Sequence, residues 1–325
     1  MQPRDVWFPK NAGFFALRTL LQPFSGLYFL GWTTYRWLYK FGVKKSARPH
    51  KPVICVGNLV VGGTGKSPLV LHVADVLEQL GYEVVIGCSG YGSPRAEAAS
   101  IAPSGELDPS EWGDEPSMIR WLRPNITLVV GRRRVLAAEL VARHHPNAVL
   151  LMDDGMQHLP LHKDLTMLID EESAVNSFCL PAGPYREPRS SRKHADIVLP
   201  GQFTITTTSP RIVTASGEDI SVRDAHVLCA LGQPDQFVST LRSAGVNILS
   251  QQLKPDHDPL TEGNLWSEFS PGHKIVVTAK DYVKLRLRTD FPTERVVIAL
   301  RESTIESREE FVNWLKRELE RIEQG

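Results

Sequence analysis

The run Val53-Ile54-Cys55-Val56-Gly57-Asn58-Leu59-Val60-Val61-Gly62-Gly63-Thr64-Gly65-Lys66-Ser67-Pro68 limits what this chain can fold into more than any other stretch. Val53 to Val56 read as a buried strand, and Leu69, Val70, Val73, Leu77 and Leu80 recur on one face of a following helix. Strand, glycine-rich turn, Lys-Ser and helix together make a phosphate cradle. Glycines let the backbone close on an anion with its N–H groups inward, and the helix dipole adds positive potential. In such a turn Val60, Val61, Gly62, Gly63, Thr64 and Gly65 wrap the phosphates, Lys66 reaches the outer ones and Ser67 holds Mg²⁺. The strict eight-residue pattern has Gly six positions before the lysine, where this chain has Val60. A chance Lys-Ser after a glycine-rich turn is the plain alternative, and the flanking strand and helix argue against it.

A second signal follows in the order a nucleotide site needs. Ala148-Val149-Leu150-Leu151-Met152 is an apolar strand ending in Asp153-Asp154. A carboxylate at such a strand end lies beside the Mg²⁺ of a bound nucleotide. Further strands at 84–87, 126–130, 165–170 and 195–199 extend the pattern into an α/β core. Residues 94–110 are polar and read as a mobile excursion. In Trp112-Gly113-Asp114-Glu115-Pro116 the adjacent carboxylates precede a helix at 117–122, where capping is the plain reading. Gly131-Arg132-Arg133-Arg134 opens another helix, either as a solvated basic face or as a phosphate contact. Leu180-Pro181-Ala182-Gly183-Pro184-Tyr185-Arg186-Glu187 is a proline-rich loop whose Arg186 either faces solvent or reaches phosphate.

From Phe203 the texture changes. Residues 204–209 and 211–214 are threonine-rich and read as a linker ribbon. A second α/β series then runs from a strand at 226–231 through a helix at 234–244 and a strand at 246–249. It continues with a helix after Pro259, a strand at 274–278, a helix at 282–287 and a strand at 295–300. A closing amphipathic helix at 307–321 turns Phe311, Trp314, Leu315 and Leu319 inward. The segment Lys254-Pro255-Asp256-His257-Asp258-Pro259 reads locally as a solvated turn, and no other His or Cys lies at metal-ligand spacing.

The first 45 residues hold an outsized share of the aromatics, from Trp7 and Phe8 to Tyr39 and Phe41. Their apolar stretch falls short of the ~18–20 residues of a spanning helix, and no cleavage site follows it. With Lys40, Lys44, Lys45, Arg48 and Lys51 alongside, the segment suits an interfacial anchor on an anionic leaflet. The alternative is a helix packed on the protein's own core. Over all 325 residues Lys plus Arg equals Asp plus Glu at 37 each, so no global charge points to nucleic acid. Cys55, Cys88, Cys179 and Cys229 are scattered without a C-x-x-C; Cys55, Cys88 and Cys229 lie in or beside apolar runs and read as buried thiols, and the set indicates a reducing compartment.

Taken together, Gly57-Asn58, the Gly62–Pro68 loop, Gly90-Tyr91-Gly92, Gly113-Asp114-Glu115-Pro116, Asp153-Asp154-Gly155-Met156-Gln157-His158, the Leu180–Glu187 run, Asp256-His257 and Thr278-Ala279-Lys280-Asp281 stand in one order. The chain resembles the tetraacyldisaccharide 4′-kinase family of lipid A biosynthesis, over nearly its whole length. That family's loop also lacks the first glycine. The resemblance implies a P-loop three-layer α/β/α core domain joined by a β-ribbon to a smaller C-terminal α/β domain, with the site in the cleft. The corresponding divisions are an N-terminal membrane-associated helix at 1–45, a nucleotide-binding domain at 46–203, and linker plus smaller domain at 204–325, whose final helix is free to return to the core. It implies ATP and Mg²⁺ as cofactors and transfer of the γ-phosphoryl group to the 4′-hydroxyl of a tetraacyl disaccharide 1-phosphate. It places the protein at the cytoplasmic face of the bacterial inner membrane, with the lipid as partner, no nucleic acid and no obligate protein partner.

By the same resemblance Asp114 and His257 form a dyad that takes the hydroxyl proton, in either division of labour. Lys66 and the loop hold phosphates, and Ser67, Asp153 and Asp154 serve Mg²⁺. Asn58, Glu115, Arg134, Gln157, His158 and Arg186 match the family's nucleotide-site positions. The chain departs from the pattern at Ser89, where the family has Arg, at Met156 for Phe and at Ala279 for Glu. A partition-type P-loop ATPase switch is the competing reading. Its deviant loop carries Lys before the Gly-Gly, where this chain has Val61, and it leaves Asp114 and His257 unexplained. A GTPase base reader needs its Lys one place earlier than Lys280.

Overall fold

The structure is a computed structural model that describes residues 3–62 and 65–324. Gly63 and Thr64, two of the expected cradle residues, lie outside the described residues. Helices α1 (Pro3–Trp7) and α2 (Ala12–Lys40) lead into β1 (Val53–Asn58), α3 (Lys66–Gln79), β2 (Val84–Cys88), β3 (Ser100–Ile101), α4 (Pro109–Trp112) and α5 (Asp114–Leu122). Then come β4 (Thr127–Val130), α6 (Arg134–His144), β5 (Val149–Asp153), β6 (Leu165–Ile169) and β7 (Ile197–Leu199). They build a seven-stranded sheet in the order β3-β4-β2-β5-β1-β6-β7, parallel except for β3 at one edge. Both faces are covered. In β1, Ile54 and Val56 enter one hydrophobic cluster with α3, while Val53 and Cys55 enter the other with α6. Burial on both faces is why β1 reads as a continuous apolar run.

The chain continues through β8 (Ile205–Thr207), β9 (Arg211–Val213), β10 (Asp224–Ala230), α7 (Pro234–Ser243), β11 (Asn247–Lys254) and β12 (Lys274–Thr278). It closes with α8 (Ala279–Leu285), β13 (Val296–Leu300), β14 (Ser303–Ile305) and α9 (Arg308–Gln324). A five-stranded sheet runs β11-β10-β12-β13-β9, with β9 antiparallel. Antiparallel β8 and β14 form a two-stranded ribbon where the chain leaves the first sheet and returns to it. Helix α9 packs Phe311, Trp314, Leu315, Leu319 and Ile322 into the same cluster as α3. Phe203 meets Phe311 edge-on at 5.4 Å between ring centroids. At ~1.5–3 kcal/mol per buried apolar side chain, α9 contributes on the order of 10 kcal/mol gross.

Five expectations need correction. Residues 94–110 are not an excursion: β3 pairs with β4, and Ala96, Ala102 and Leu107 are buried in the core. No helix lies between Pro259 and β12. Leu260 and Gly263 take positive φ there, and the Asn264 side chain accepts from the N–H of Trp266 and Ser267 instead. Of the two threonine-rich segments only β8 belongs to the ribbon, where it pairs with β14, while 211–213 is an edge strand of the second sheet, and β11 runs to Lys254. Helix α5 starts at Asp114 rather than 117, with Gly113 as its N-cap at φ 90 and no side chain capping it. The carboxylate of Asp114 is therefore free of the capping role.

Helix α2 lies on the segment 179–187 and leaves Leu20, Phe24, Leu27, Leu30 and Trp37 exposed, with exposed Phe41 just past its end. Among the described residues no helix is long and apolar enough to cross a membrane. All four cysteines are buried free thiols.

Candidate active site

The sheet order places the two expected signals side by side. β1 and β5 are neighbours, with Val56 opposite Asp153, so the turn after β1 and the acidic pair after β5 open at one edge. Gly65 is the N-cap of α3 in the left-handed region (φ 74), and no side chain caps that helix. Its first N–H groups are thus available to an anion. Gly62 also takes a positive φ of 107, which a side chain would strain. The rising limb of the loop is fastened from outside. Val60 bridges to Tyr185, and the Val61 N–H donates to the Pro184 carbonyl at 2.9 Å.

Around this turn the charges interlock. Lys66 Nζ donates to Asn58 Oδ1 at 3.3 Å and lies 3.5 Å from Asp154 Oδ2. Arg186 forks onto Asp154, Nη1 to Oδ2 at 2.9 Å and Nη2 to Oδ1 at 3.1 Å. It also donates to the Asn58 carbonyl at 3.0 Å. Burial works against a charge on Asp154, but Arg186 and Lys66 more than offset it and hold its pKa below the ordinary carboxylate value. Its backbone sits at φ 57, a left-handed conformation that Asp tolerates better than most side chains. Asp153 faces the other way and accepts from Ser67 Oγ at 3.0 Å. Burial first, then nearby Glu115, pushes the Asp153 pKa up to about 7. A hydroxyl and a buried carboxylate whose charge lacks a full counterbalance are hard oxygen donors that fit Mg²⁺.

Arg134 does not face the loop. It is buried, with Nη2 donating to the Asp153 carbonyl at 2.9 Å and to the Asp154 carbonyl, so it braces the acidic turn from behind. Gln157 Nε2 donates to the Asn58 carbonyl at 2.8 Å and to Glu187 Oε1 at 2.9 Å. His158 is half-buried and neutral, its pKa pushed down to about 4 by burial and then by Arg134 and Lys163.

The second sheet contributes from across the cleft. His257, held at φ 61, places Nδ1 3.3 Å from Asp114 Oδ2. Tyr91 lies against the imidazole at 4.9 Å between ring centroids. Helix α8 adds two cations one turn apart. Lys280 Nζ is 3.4 Å from His257 Nε2 and 3.4 Å from Asp256 Oδ1. Buried Lys284 Nζ lies 3.6 Å from Asp114 Oδ2 and 3.3 Å from fully buried Asp281 Oδ1. An ammonium only donates, so Lys280 at Nε2 leaves the ring proton on Nδ1, pointed at Asp114. Burial raises the Asp114 pKa, but the His257 hydrogen bond and the charges of Lys284 and Lys280 win, and the carboxyl is held below its usual range. Packing of α5 on α8, with Trp121 and Tyr282 rings 4.9 Å apart, brings these groups together. The loop after β10 also approaches the phosphate turn: a Cβ added at Gly62 would lie 3.8 Å from Gln233 Nε2.

Residues 17–320 match the family model described as Tetraacyldisaccharide-1-P 4'-kinase. The chain belongs to this family. It is 32% identical over 293 residues to the tetraacyldisaccharide 4'-kinase of Actinobacillus succinogenes, covering 86% of this chain and 88% of that one. It is 34% identical over 304 residues to the Shewanella sediminis enzyme of the same name, covering 86% and 89%. The crystal structure of "apo" form LpxK from Aquifex aeolicus in complex with ATP superposes with a TM-score of 0.79 at 27% identity, covering 93% of this chain and 99% of that one.

Sequence reasoning assigned no role to Lys284, Glu187 or Gln233. The i, i+4 pair Lys280 and Lys284 on a short helix was the available signal for the first. Glu187, although inside a quoted motif, gave no hint that it would be fully buried.

Proposed function

We propose that this chain transfers the γ-phosphoryl group of ATP to the 4′-hydroxyl of a tetraacyl disaccharide 1-phosphate. The observation that carries this reading is the Asp114–His257 pair, assembled between the two sheets in a chain of this family. A sugar hydroxyl is a weak nucleophile, and phosphoryl transfer asks chiefly for alignment, charge stabilisation and acceptance of the proton. Asp114 takes the proton, because it is held ionised and His257 already donates to it. His257 orients the carboxylate and is itself kept in one tautomer by Lys280.

Lys66, the loop amides and Arg186 bind and orient the phosphates. Ser67 and Asp153 would hold Mg²⁺, with Asp154 at the same turn. When bound, that ion neutralises phosphate oxygens. Asn58 and Gln157 fix the turn, and Arg134 braces it. Glu115, next to Asp114 and close enough to Asp153 to raise its pKa, stands between the two halves. The divisions 46–203 and 204–325 would correspond to a nucleotide-binding domain and a smaller domain closing over it. The exposed apolar face of α2, with Lys40, Lys44, Lys45 and Arg48 at its end, suits adsorption to the anionic cytoplasmic leaflet of the inner membrane, where the lipid acceptor resides.

The test is a transfer assay with γ-labelled ATP and a tetraacyl disaccharide 1-phosphate. Label is expected in the lipid. ATP hydrolysis with no label in lipid would sink the kinase reading and leave the switch ATPase standing.

A further inference from the structure

Helix α2 has two faces of different chemistry. Leu20, Phe24, Leu27 and Leu30 point outward and are exposed. Ser25, Tyr28 and Arg36 share the opposite side, at spacings of about one and two turns, and all three bind one segment of chain. Ser25 Oγ donates to the Cys179 carbonyl at 2.8 Å and accepts from the Ala182 N–H at 2.9 Å. Tyr28 donates its hydroxyl to the carbonyl of Arg186 at 2.8 Å. Arg36 Nε donates to Glu187 Oε2 at 2.8 Å, and its Nη2 reaches the same oxygen.

Glu187 has no exposed surface. Its second oxygen takes the Gln157 amide, which also holds the Asn58 carbonyl at the end of β1. The residue before it is Arg186, whose guanidinium lies across Asp154 and Asn58. The two residues before Arg186, Pro184 and Tyr185, fasten the loop after β1 at Val61 and Val60. The inner face of α2 therefore grips the main chain that positions Arg186 and the loop limb. Arg36 is the ion-pair partner of the Glu187 carboxylate, with Lys163 a further cation nearby. A buried carboxylate that loses its paired cation is strongly unfavourable, so losing Arg36 loosens the segment.

We propose that α2 is part of the scaffold of the nucleotide site. Arg36 and Tyr28 are positioning residues that set Arg186 over Asp154, and loss of this inner face weakens ATP binding whether or not a membrane is present. The inference rests on the reading of Asn58, Lys66, Asp154 and Arg186 as the ATP phosphate site.

The experiment measures ATP affinity, kcat and vesicle co-sedimentation on the full chain. Arg36→Met is expected to weaken ATP about tenfold while binding to phosphatidylglycerol-containing vesicles stays within twofold. Arg36→Met with Glu187→Gln removes the stranded charge and should return ATP affinity to within about threefold of wild type. Leu20→Ser with Leu27→Ser should do the opposite, losing vesicles and keeping ATP. Should Arg36→Met fail to fold, Tyr28→Phe removes a single hydroxyl and is expected to raise the KM for ATP about threefold, with kcat little changed. Wild-type ATP affinity in either Arg36→Met or Tyr28→Phe overturns the proposal, as does a double variant no better than the single. A wild-type chain that bound no ATP would sink the site reading itself, and this proposal with it.

Discussion

The two halves of the cleft are built in opposite ways. The proposed phosphate side is closed around one sheet: Asn58 and Asp154 from neighbouring strand ends, Lys66 from the start of α3 and Arg186 from one strap pair with one another. The proposed proton-accepting side is divided. Asp114 starts α5 beside the first sheet, while His257, Lys280 and Lys284 come from the second, more than 140 residues away in sequence. The first arrangement persists if the sheets part, and the second exists only while α5 and α8 are packed. Nucleotide binding and phosphoryl transfer should therefore respond to different residues.

The largest expected effect is at Lys66. Lys66→Ala removes the cation proposed to reach the phosphates and frees Asp154 from one partner. Transfer should fall about 10³-fold, the scale of losing a central electrostatic stabiliser, and ATP affinity should fall with it. Asp114→Asn comes next. It keeps the shape and removes the proton acceptor, so kcat should drop ~10²–10⁴-fold while ATP affinity, measured by titration, stays within about threefold of wild type. If Asp114→Asn lost ATP as severely as Lys66→Ala, the two halves would not be separable.

Lys284 sharpens the contrast, because it serves both fold and site. Lys284→Met strands buried Asp281 and loosens Asp114. Breaking a buried pair from one side costs about 3 kcal/mol or more, which thermal unfolding reads. Adding Asp281→Asn should restore most of the stability but not the roughly tenfold loss in kcat, since Asp114 still lacks its cation. Recovery of both together would mean that Lys284 acts through the fold alone.

These distinctions show which parts were legible in the sequence. The phosphate turn was, because strand, glycines and Lys66 lie within 20 residues and β1 is buried on both faces. That Ser67 and Asp153 belong to one site followed from the order of the two motifs along the chain; their hydrogen bond at 3.0 Å comes from the adjacency of β1 and β5, which the sequence does not state. Arg134 was visible as a charge but not as a brace, since only tertiary packing buries it. The expected helix after Pro259 fails on the positive φ of Leu260 and Gly263, which hydropathy does not register. Lys284 was silent for the same reason as Arg36: each finds its carboxylate on a distant segment, so no local spacing encodes the contact.

The smallest effect concerns pH and tests whether the divided side is assembled at rest. The Asp114 carboxyl titrates below its ordinary value of 3.8 because the hydrogen bond from His257 and the charges of Lys284 and Lys280 outweigh burial. Between the folded and unfolded pKa values the unfolded chain binds more protons. Stability from Asp114 is therefore fully present above the unfolded value and lost as pH falls through the folded one. The thermal midpoint of wild type should exceed that of Asp114→Asn by a constant amount from pH 8 to pH 5, on the order of 2 °C. The gap should shrink only below about pH 4, where protonated Asp114 comes to resemble Asn. If the sheets stood apart in the resting protein, Asp114 would lack His257, Lys280 and Lys284 together. The two midpoints would then coincide at every pH, and the dyad would have to be formed anew with each substrate.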